Sequence, residues 1–242
     1  MRYAIFSDIH SNLEAFDAVI NAYKKESIDR YIHVGDVVGY AANPKECIEQ
    51  LKKITDIAVA GNHDWAAVNL FSLEHFNPEA GEAILWTRKN LDESSRGFLE
   101  ELKLVYKNED LTAVHGTLHH PRDFNYLNDA YIAEETFRIL ETTVCFVGHT
   151  HSPGIFSKDK TENIYHRKSN KIILEESTKY IIDVGSVGQP RDENPQAAYC
   201  IYDTVKKEIE IKRVAYNLKA AKDKIIKAGL PKFLGERLAV GK

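Results

Sequence analysis

Short apolar runs alternate with amphipathic segments along the first quarter of the chain. Strand-like runs occupy residues 3–6, 31–34 and 57–60. After the first run, apolar residues recur at helical spacing from Leu13 to Tyr23, and Ser11 with Glu14 forms a capping-box pattern that predicts the start of a helix. Asn43 followed by a proline predicts a second helix. This β–α–β–α–β order predicts parallel strands whose carboxyl ends bring polar residues to one edge of a sheet.

The remainder of the chain predicts further strands and two helical regions. Strand-like runs occupy residues 111–114, 144–147, 180–184, 198–202 and 208–214. The last two runs are joined by residues 203–207 and predict an antiparallel hairpin. Residues 65 to about 104 predict a mostly helical insert, residues 217–229 predict a closing amphipathic helix, and the pattern of residues 229–242 is ambiguous. Because neither a repeat nor a low-complexity linker interrupts the pattern, we expect one domain over residues 1–242, with the hairpin and last helix at about 197–242.

Composition and charge narrow the class of protein. The chain has 242 residues, of which 43% are hydrophobic and 28% charged, so it should bury a core and stay in solution. Its net charge of -4 gives no general attraction to nucleic acid, which we expect at most as a substrate. No apolar stretch approaches the roughly 18 to 20 residues that span a bilayer, so no membrane partner is expected. The N-terminus turns polar at Ser7 and lacks a signal-peptide core, which predicts a cytoplasmic protein.

The three cysteines also bear on the compartment. Cys47, Cys145 and Cys200 are far apart in the sequence, odd in number and set in apolar surroundings. These features predict reduced thiols inside the core rather than a disulfide framework. A reducing compartment such as the cytoplasm is the simplest interpretation.

Polar residues that suit metal binding follow five of the predicted strands. They are Asp8 and His10, then Asp36, then Asn62, His63 and Asp64, then His115, and finally His149 and His151. Each motif alone is weak, because a lone histidine after a strand is more often a structural residue and Gly-Asn-His-Asp also suits a turn. Together, these carboxylate, imidazole and carboxamide groups suit divalent cations such as Mn, Fe, Zn or Ni. These candidates are too many for one ion, and with one carboxylate shared they suit a dinuclear centre that clamps a phosphoryl group between ions about 3.5–4 Å apart.

The order of these motifs resembles the calcineurin-like metallophosphoesterase superfamily. The five blocks are Asp8-Ile9-His10, Gly35-Asp36, Gly61-Asn62-His63-Asp64, His115-Gly116 and Gly148-His149-Thr150-His151. The stretches GDVVGYAANP at 35–44 and GSVGQPRD at 185–192 resemble its compact prokaryotic phosphodiesterase branch, close to proteins related to diadenosine tetraphosphatases. The resemblance implies an α/β fold, a four-layer α/β/β/α sandwich with the site at the carboxyl ends of the strands.

The resemblance also implies a ligand set and a mechanism. One ion would be held by Asp8, His10, Asp36 and His151, and the other by Asp36, Asn62, His115 and His149. Asp36 would then bridge the two ions, and His149 and His151 would bind different ions. The spacing of His149 and His151 alone would favour one shared ion. We expect two divalent ions, with Mn favoured and Fe, Zn, Ni and Mg as alternatives. A hydroxide between the ions would attack phosphorus, His63 would contact a phosphate oxygen or donate a proton, and Asp64 would orient the His63 ring.

Substrate contacts are predicted for Asn62 and His63 and for five residues outside the ligand set. These are Tyr40, His119, Arg122, Gln189 and Arg191. A solvated polar loop also explains His119 and Arg122, and a structural turn also explains residues 185–192. Serine/threonine protein phosphatases of the superfamily carry an aspartate-arginine pair after the Gly-Asp block, where this chain has Val38-Gly39-Tyr40. A protein phosphatase is therefore disfavoured.

We therefore expect metal-dependent hydrolysis of phosphodiesters or small nucleotide phosphates, with a small phosphorylated molecule as the partner. The alternatives are a phosphomonoesterase, protein phosphatases included, and a non-catalytic metal-binding scaffold. The scaffold is disfavoured because every ligand position and His63 are present. No pattern in the sequence specifies an oligomeric state.

Overall fold

Two mixed β-sheets face each other in the computed structural model, which describes residues 1–55 and 57–242. The strands, numbered in chain order, are β1 Arg2–Phe6, β2 Arg30–His33, β3 Val105–Lys107, β4 Thr112–Val114, β5 Val144–Val147, β6 Gly154–Lys158, β7 Ile164–Arg167, β8 Lys171–Ile173, β9 Lys179–Asp183, β10 Ala197–Asp203 and β11 Glu208–Val214. The first sheet has the order β2-β1-β10-β11-β8, and the second has the order β3-β4-β5-β9-β6-β7. β1 runs parallel to β2, and β4, β5 and β9 are mutually parallel. The predicted hairpin is confirmed as the antiparallel pair β10 and β11.

Helices cover the outer faces of both sheets. They are α1 Leu13–Tyr23, α2 Pro44–Ile54, α3 Asn62–Ala67, α4 Pro78–Asn90, α5 Glu93–Glu101, α6 Ala130–Ile139, α7 Leu218–Lys227 and α8 Lys232–Glu236. Short 3-10 helices occupy Leu73–His75, Pro121–Asp123 and Arg237–Ala239. Buried apolar residues of α1 and α2 cluster against the first sheet, and those of α6 cluster against the second. None of the helices in the described ranges is long and apolar enough to span a membrane.

The alternation of side chains along β1 explains the layers. Phe6 faces the helices and packs on Phe16 of α1, with ring centroids 5.6 Å apart. Its neighbour Ile5 points the other way and shares a buried cluster with Phe146 of β5 and Ile182 of β9, between the two sheets. The mixed α/β fold and the predicted four layers are therefore confirmed. In this arrangement the loops that follow β1, β2, β4 and β5 meet at one end of the sandwich.

The end of the chain packs against the helical insert. Residues of α4, α7 and α8 share one buried apolar cluster, which also contains Tyr40 from the loop after β2 and Leu238 from the last 3-10 helix. The closing helix is confirmed as α7, and the ambiguous tail contains α8 and the 3-10 helix Arg237–Ala239. The predicted insert at 65–104 is mostly helical, with α4 and α5 as its main parts. This cluster joins the insert, the loop after β2 and the final helices.

The structure corrects the predicted start of α1. The Asn12 side chain accepts a hydrogen bond from the Ala15 amide at 3.2 Å, so Asn12 is the N-cap. Ser11 instead adopts a left-handed conformation with φ of 57° and has no capping role. Asn43 does precede α2, which begins at a proline, but the Asn43 side chain makes no capping hydrogen bond.

The prediction of strands is also wrong in two respects. Residues 57–60 do not form a strand, because only Ala58 and Val59 make single parallel bridges, to β2 and to Lys103. Four strands were not predicted, namely β3, β6, β7 and β8. The exposed residues of β7 and β8 show no apolar alternation, and β3 and β8 are only three residues long, so their sequences carry little strand signal.

Candidate metal centre

Five of the predicted ligands adopt left-handed backbone conformations in the loops after the strands. Their φ angles are 56° at Asp8, 48° at His10, 59° at Asp36, 70° at His149 and 62° at His151. Such conformations are unfavourable for residues other than glycine and concentrate at functional sites, where the surrounding fold maintains them. Here they turn the chain back on itself, and polar side chains from separate loops converge.

The first group of converging side chains consists of Asp8, His10 and His151. Asp8 Oδ1 lies 3.5 Å from His10 Nε2 and 3.2 Å from His151 Nε2. The two Nε2 atoms lie 3.0 Å apart. All three residues are buried, and their ligand atoms are close enough to hold one cation.

The second group consists of Asp36, His115 and His149, and it adjoins the first. Asp36 Oδ2 lies 3.2 Å from His115 Nε2 and 3.7 Å from His10 Nε2. Asp36 therefore lies between the two groups. The geometry also places His63 within reach of His10 and Asp36 as a third compact group, although we expect His63 to face the substrate.

Backbone carbonyls orient three of the imidazoles. The Nδ1 atoms of His10, His115 and His151 lie 3.0, 2.8 and 2.6 Å from the carbonyl oxygens of Val38, Val34 and Gln189 respectively. A carbonyl only accepts, so each Nδ1 carries the hydrogen and donates it. In the neutral form of each ring, Nε2 then keeps a lone pair that points into the groups, which is the tautomer that metal-binding histidines adopt.

Unpartnered buried atoms coincide with the predicted ligands. Within the described residues, five of the buried side-chain atoms that lack a hydrogen-bond partner are Asp8 Oδ1, Asp36 Oδ2, Asn62 Oδ1, His115 Nε2 and His149 Nε2. An unpaired buried polar atom costs about 1–3 kcal/mol, so a fold rarely keeps several side by side without a ligand. Carboxylate, imidazole and carboxamide donors suit divalent cations. The residues present therefore fit a divalent metal site.

Burial and charge set the protonation states of these groups. Burial lowers the pKa of His149 and of His151 to about 3. Burial would also lower the pKa of His115, but the carboxylates of Asp36 and Asp8 outweigh it and raise that pKa to about 10. Burial would raise the pKa of Asp36, but the neighbouring histidines outweigh it and lower that pKa. At neutral pH the carboxylate and two of the imidazoles are therefore in the deprotonated forms that bind metal, and a cation would displace the proton of His115.

His63 lies at the edge of the groups, among aromatic rings. Its ring centroid is 4.5 Å from that of Tyr40, 4.8 Å from that of His10 and 4.9 Å from that of Phe76. Burial holds the pKa of His63 well below its usual value. Its Nδ1 atom is buried and has no hydrogen-bond partner among the described residues.

The predicted role of Asp64 is wrong in its detail. Its carboxylate accepts hydrogen bonds from the backbone amides of Asp36 at 2.8 Å, Gly61 at 3.0 Å and Val38 at 3.1 Å, and none from the His63 ring. Asp64 therefore joins the loop after β2 to the start of α3. It positions the backbone of the central ligand Asp36 rather than an imidazole.

The glycine of the Gly-Asn-His-Asp motif is required by close packing. A Cβ at Gly61 would lie 2.0 Å from Asp36 Oδ1, and the same Oδ1 accepts a hydrogen bond from the His63 amide at 2.8 Å. Only glycine leaves room for the Asp36 carboxylate at this approach.

Three predicted substrate contacts lie next to the groups. Arg191 donates to the Tyr40 hydroxyl at 3.0 Å and to Gln189 Oε1 at 2.8 Å, and its guanidinium lies over the Tyr40 ring, 5.5 Å from the centroid. The Tyr40 ring lies 4.5 Å from the His10 ring. Gln189 supplies the carbonyl that orients His151. The turn at 185–192 thus has a structural role as well as a guanidinium beside the metal site.

The structure does not place the other two predicted substrate residues with the ligands. His119 Nδ1 lies 2.7 Å from Glu135 Oε2, and Arg122 lies over the Trp65 ring at 5.1 Å. In residues 1–55 and 57–242, neither side chain forms a hydrogen bond or an ion pair with a candidate ligand. Both explanations of His119 and Arg122, a polar loop and substrate binding, therefore stay predictions.

Sequence reasoning missed two residues at the centre. Tyr126 stacks on the His149 ring, with centroids 3.9 Å apart and an interplanar angle of 19°. Asp183 is buried beside the last motif, where it accepts from the Thr150 hydroxyl at 2.6 Å and from the Gly185 amide at 2.8 Å. Asp183 ends a predicted strand and could have been noticed, whereas Tyr126 lies in a loop without a readable pattern.

Comparison with known sequences identifies the family of the chain. The domain model of the calcineurin-like phosphoesterase superfamily matches residues 1–207, and the chain belongs to this superfamily. Membership places it among the phosphoester hydrolases. The resemblance seen in the sequence is therefore confirmed.

Three relatives match over nearly their whole length. The chain is 41% identical over 243 residues to the uncharacterized protein MJ0912 of Methanocaldococcus jannaschii, covering 99% of this chain and 98% of that protein. It is 37% identical to a metallophosphoesterase from Sphaerobacter thermophilus, whose crystal structure matches with a TM-score of 0.88 over 100% of both chains. The hypothetical protein PH1004 from Pyrococcus horikoshii shares the fold, with 20% identity and a TM-score of 0.79 over 100% of this chain and 98% of that one.

Proposed function

We propose that the protein hydrolyses phosphodiesters, small nucleotide phosphates among them, at a dinuclear metal centre. One observation carries the proposal: carboxylate and imidazole ligand atoms converge in two adjoining groups, and Asp36 of the second group also lies 3.7 Å from His10 of the first. Two groups on either side of one carboxylate have the arrangement that a pair of cations requires. Membership of a phosphoester hydrolase superfamily supports the same chemistry.

The ligands divide between two sites in this proposal. Asp8, His10, Asp36 and His151 would hold one ion, and Asp36, Asn62, His115 and His149 would hold the other. We propose manganese at both, because a mixed oxygen and nitrogen donor set suits it. When bound, such ions neutralise phosphate oxygens and lower the pKa of coordinated water.

The chain's own residues supply orientation and a proton. His63, beside His10 and Asp36, would contact a phosphate oxygen or protonate the leaving group. Asn62 would contact both metal and substrate, and Tyr40, Gln189 and Arg191 would line the substrate side. Asp64 would hold the backbone of Asp36 in place.

The residues on the substrate side of the centre favour a small phosphodiester rather than a phosphoprotein as the substrate. The loop after Asp36 carries Val38, Gly39 and Tyr40 and no arginine, so the guanidinium beside the centre comes instead from Arg191. We also propose that the protein works in the cytoplasm. Cys47, Cys145 and Cys200 are buried and free in the structure, as expected in a reducing compartment.

A pair of chromogenic esters tests the proposal. Protein loaded with manganese should hydrolyse bis-p-nitrophenyl phosphate faster than p-nitrophenyl phosphate, and chelation of the metal should stop both reactions. Faster hydrolysis of the monoester would favour a phosphomonoesterase. Metal-loaded protein without activity on either ester, and without transition metal as purified, would rule out the proposed function.

A further inference from the structure

A cavity adjoins the metal centre on the side of the loop that precedes α6. Its volume is about 390 Å³, within the range of about 300–1,000 Å³ that small-molecule sites occupy. Tyr126 lines this cavity and also stacks on the imidazole of His149, with ring centroids 3.9 Å apart. One side chain therefore contacts a candidate metal ligand and forms a wall of the cavity.

Two tyrosines give the cavity an aromatic surface that solvent can reach. Tyr126 is 45% exposed, and Tyr131, in the first turn of α6, is 80% exposed. Because the His149 ring covers one face of the Tyr126 ring, the open side of that ring is the one away from His149. Ile132 adds an apolar side chain to the same lining. Such a surface favours a planar aromatic group, which can stack on the tyrosine rings.

The polar residues of the cavity suit an uncharged group that forms hydrogen bonds. Asn125 and Asn128 are exposed and line the cavity, and a carboxamide offers both hydrogen-bond donors and an acceptor. His119 and Glu135 also line it, with His119 Nδ1 at 2.7 Å from Glu135 Oε2. Among the described residues, those that line the cavity include neither lysine nor arginine. A phosphate would meet a carboxylate there, whereas the edge of a nucleobase matches carboxamide and carboxylate groups.

We propose that this cavity is a base site, which binds the nucleobase of a substrate whose phosphate lies at the metal centre. The inference rests on the proposed function and narrows its substrate class to phosphate esters of nucleosides. Stacking on Tyr126 and Tyr131 supplies affinity for the base, and Asn125 and Asn128 supply hydrogen bonds to its edge. Because Tyr126 contacts His149 and lines the cavity, one nucleotide can span both places.

Calorimetric titration of the manganese-loaded protein with AMP and with ribose 5-phosphate tests the base site. The two probes share the sugar and the phosphate, so the ratio of their dissociation constants isolates the contribution of the base. Stacking on aromatic side chains tolerates every base, so AMP represents the class. The wild type should bind AMP at least about tenfold more tightly, because two aromatic side chains are available for stacking. Equal affinities, or binding of neither probe, would overturn the base site.

Substitution of Tyr131 assigns the preference for AMP to the cavity. Tyr131→Ala should lower the preference by about fivefold or more, the lower limit for a base stacked on one aromatic side chain, whereas Tyr131→Phe should keep it. Tyr165 is 43% exposed on β7 and lies outside the cavity, so Tyr165→Ala is the matched control and should keep the full preference.

A Tyr131→Ala protein that folds, as judged by circular dichroism, and keeps the wild-type preference would contradict the base site. At saturating manganese, Tyr126→Ala should lower the preference as well. If Tyr131→Ala does not fold, an unchanged preference in Tyr126→Ala overturns the proposal instead.

Hydrolysis of bis-p-nitrophenyl phosphate by the wild type separates this inference from the proposed function. Wild-type protein that lacks this activity but prefers AMP, and loses the preference in Tyr131→Ala, would contradict the proposed function and support the base site. Wild-type activity together with equal affinities for AMP and ribose 5-phosphate would contradict the base site alone.

Discussion

The phenol ring of Tyr126 lies flat against the imidazole of His149, with ring centroids 3.9 Å apart. The Nε2 atom of that imidazole is buried and without a hydrogen-bond partner among the described residues, so stacking is the contact that can steady the ring. Tyr126 itself is 45% exposed and forms part of the outer wall of the centre. A ligand of the second metal group is thus positioned by a side chain from a loop that no motif identifies.

Removal of this stacking should weaken metal binding modestly. Tyr126→Ala should lower the affinity for the more weakly held ion by about 2- to 10-fold. This factor corresponds to the interaction free energy of one aromatic pair. Tyr126→Phe keeps the ring and should bind metal like the wild type. Competition with a metal-binding dye measures both variants, and equal affinities for Tyr126→Ala and the wild type would contradict the positioning role.

Asp36 should be indispensable because it stands between both metal groups. Asp36→Asn should lower turnover by at least about 100-fold, since even residues that merely support a metal ligand contribute about 10- to 100-fold. Elemental analysis should find the metal content reduced as well. Asp223→Asn, on the exposed surface of α7, is the matched control. Wild-type turnover by Asp36→Asn would be incompatible with the dinuclear centre.

His63 should affect turnover without affecting metal content. If it donates a proton or a hydrogen bond to the substrate, His63→Ala should lower turnover by about 100-fold while the metals remain bound. Loss of metal in parallel with activity would instead identify His63 as a ligand of the third group, with His10 and Asp36.

Gly188 should tolerate no side chain, because a Cβ there would lie 1.9 Å from the Ile9 carbonyl oxygen. Gly188→Ala should lower the free energy of unfolding by about 1–3 kcal/mol. Gly81 lies in α4 with no atom within 4 Å of a Cβ, so Gly81→Ala should raise the free energy by about 0.5–1 kcal/mol. Urea unfolding measures both changes, and similar values for the two variants would contradict the close approach at Gly188.

His33 should make the protein sensitive to acid. Its ring is fully buried, and burial lowers its pKa from 6.5 to about 3, so the folded state disfavours the charged form. Its contribution to stability is complete above pH 6.5 and is lost as the pH falls towards 3. At pH 4.5 the pKa shift of His33 should lower the free energy of unfolding by about 2–3 kcal/mol relative to neutral pH.

A substitution isolates this effect from the other histidines. Between pH 7 and 4.5, metal-free His33→Leu protein should lose about 2–3 kcal/mol less of its free energy of unfolding than the wild type does. His75→Gln changes an exposed histidine and should follow the wild type. Parallel curves for wild type and His33→Leu would show that the pKa of His33 does not differ between the folded and unfolded states.

Patterns that are local in the sequence predicted which polar residues converge at one end of the sandwich. Asp8, Asp36 and His149 each follow an apolar run, and parallel strands bring the ends of such runs together, so the strand pattern alone indicated where they meet. The glycine at position 61 carried a similar signal, because a glycine beside polar residues indicates close backbone approach.

These local patterns did not predict contacts between segments that are distant in the sequence. Tyr126 reaches His149 only because an irregular loop folds over the centre, and Leu238 reaches the cluster of Tyr40 through packing of the C-terminal helices. Asp64 was assigned to the wrong partner because its hydrogen bonds go to backbone amides, which no side-chain motif records.

The candidate ligands come from both halves of the sandwich. Asp8 and Asp36 follow strands of the first sheet, whereas His115 and His149 follow strands of the second. Cations bound there would cross-link the two sheets at one end. Separation of the sheets would then require coordination bonds to break as well as the apolar layer to open. Metal loading would therefore raise the resistance of the two sheets to separation, and amide hydrogens of β1 and β5 should exchange more slowly in the loaded protein.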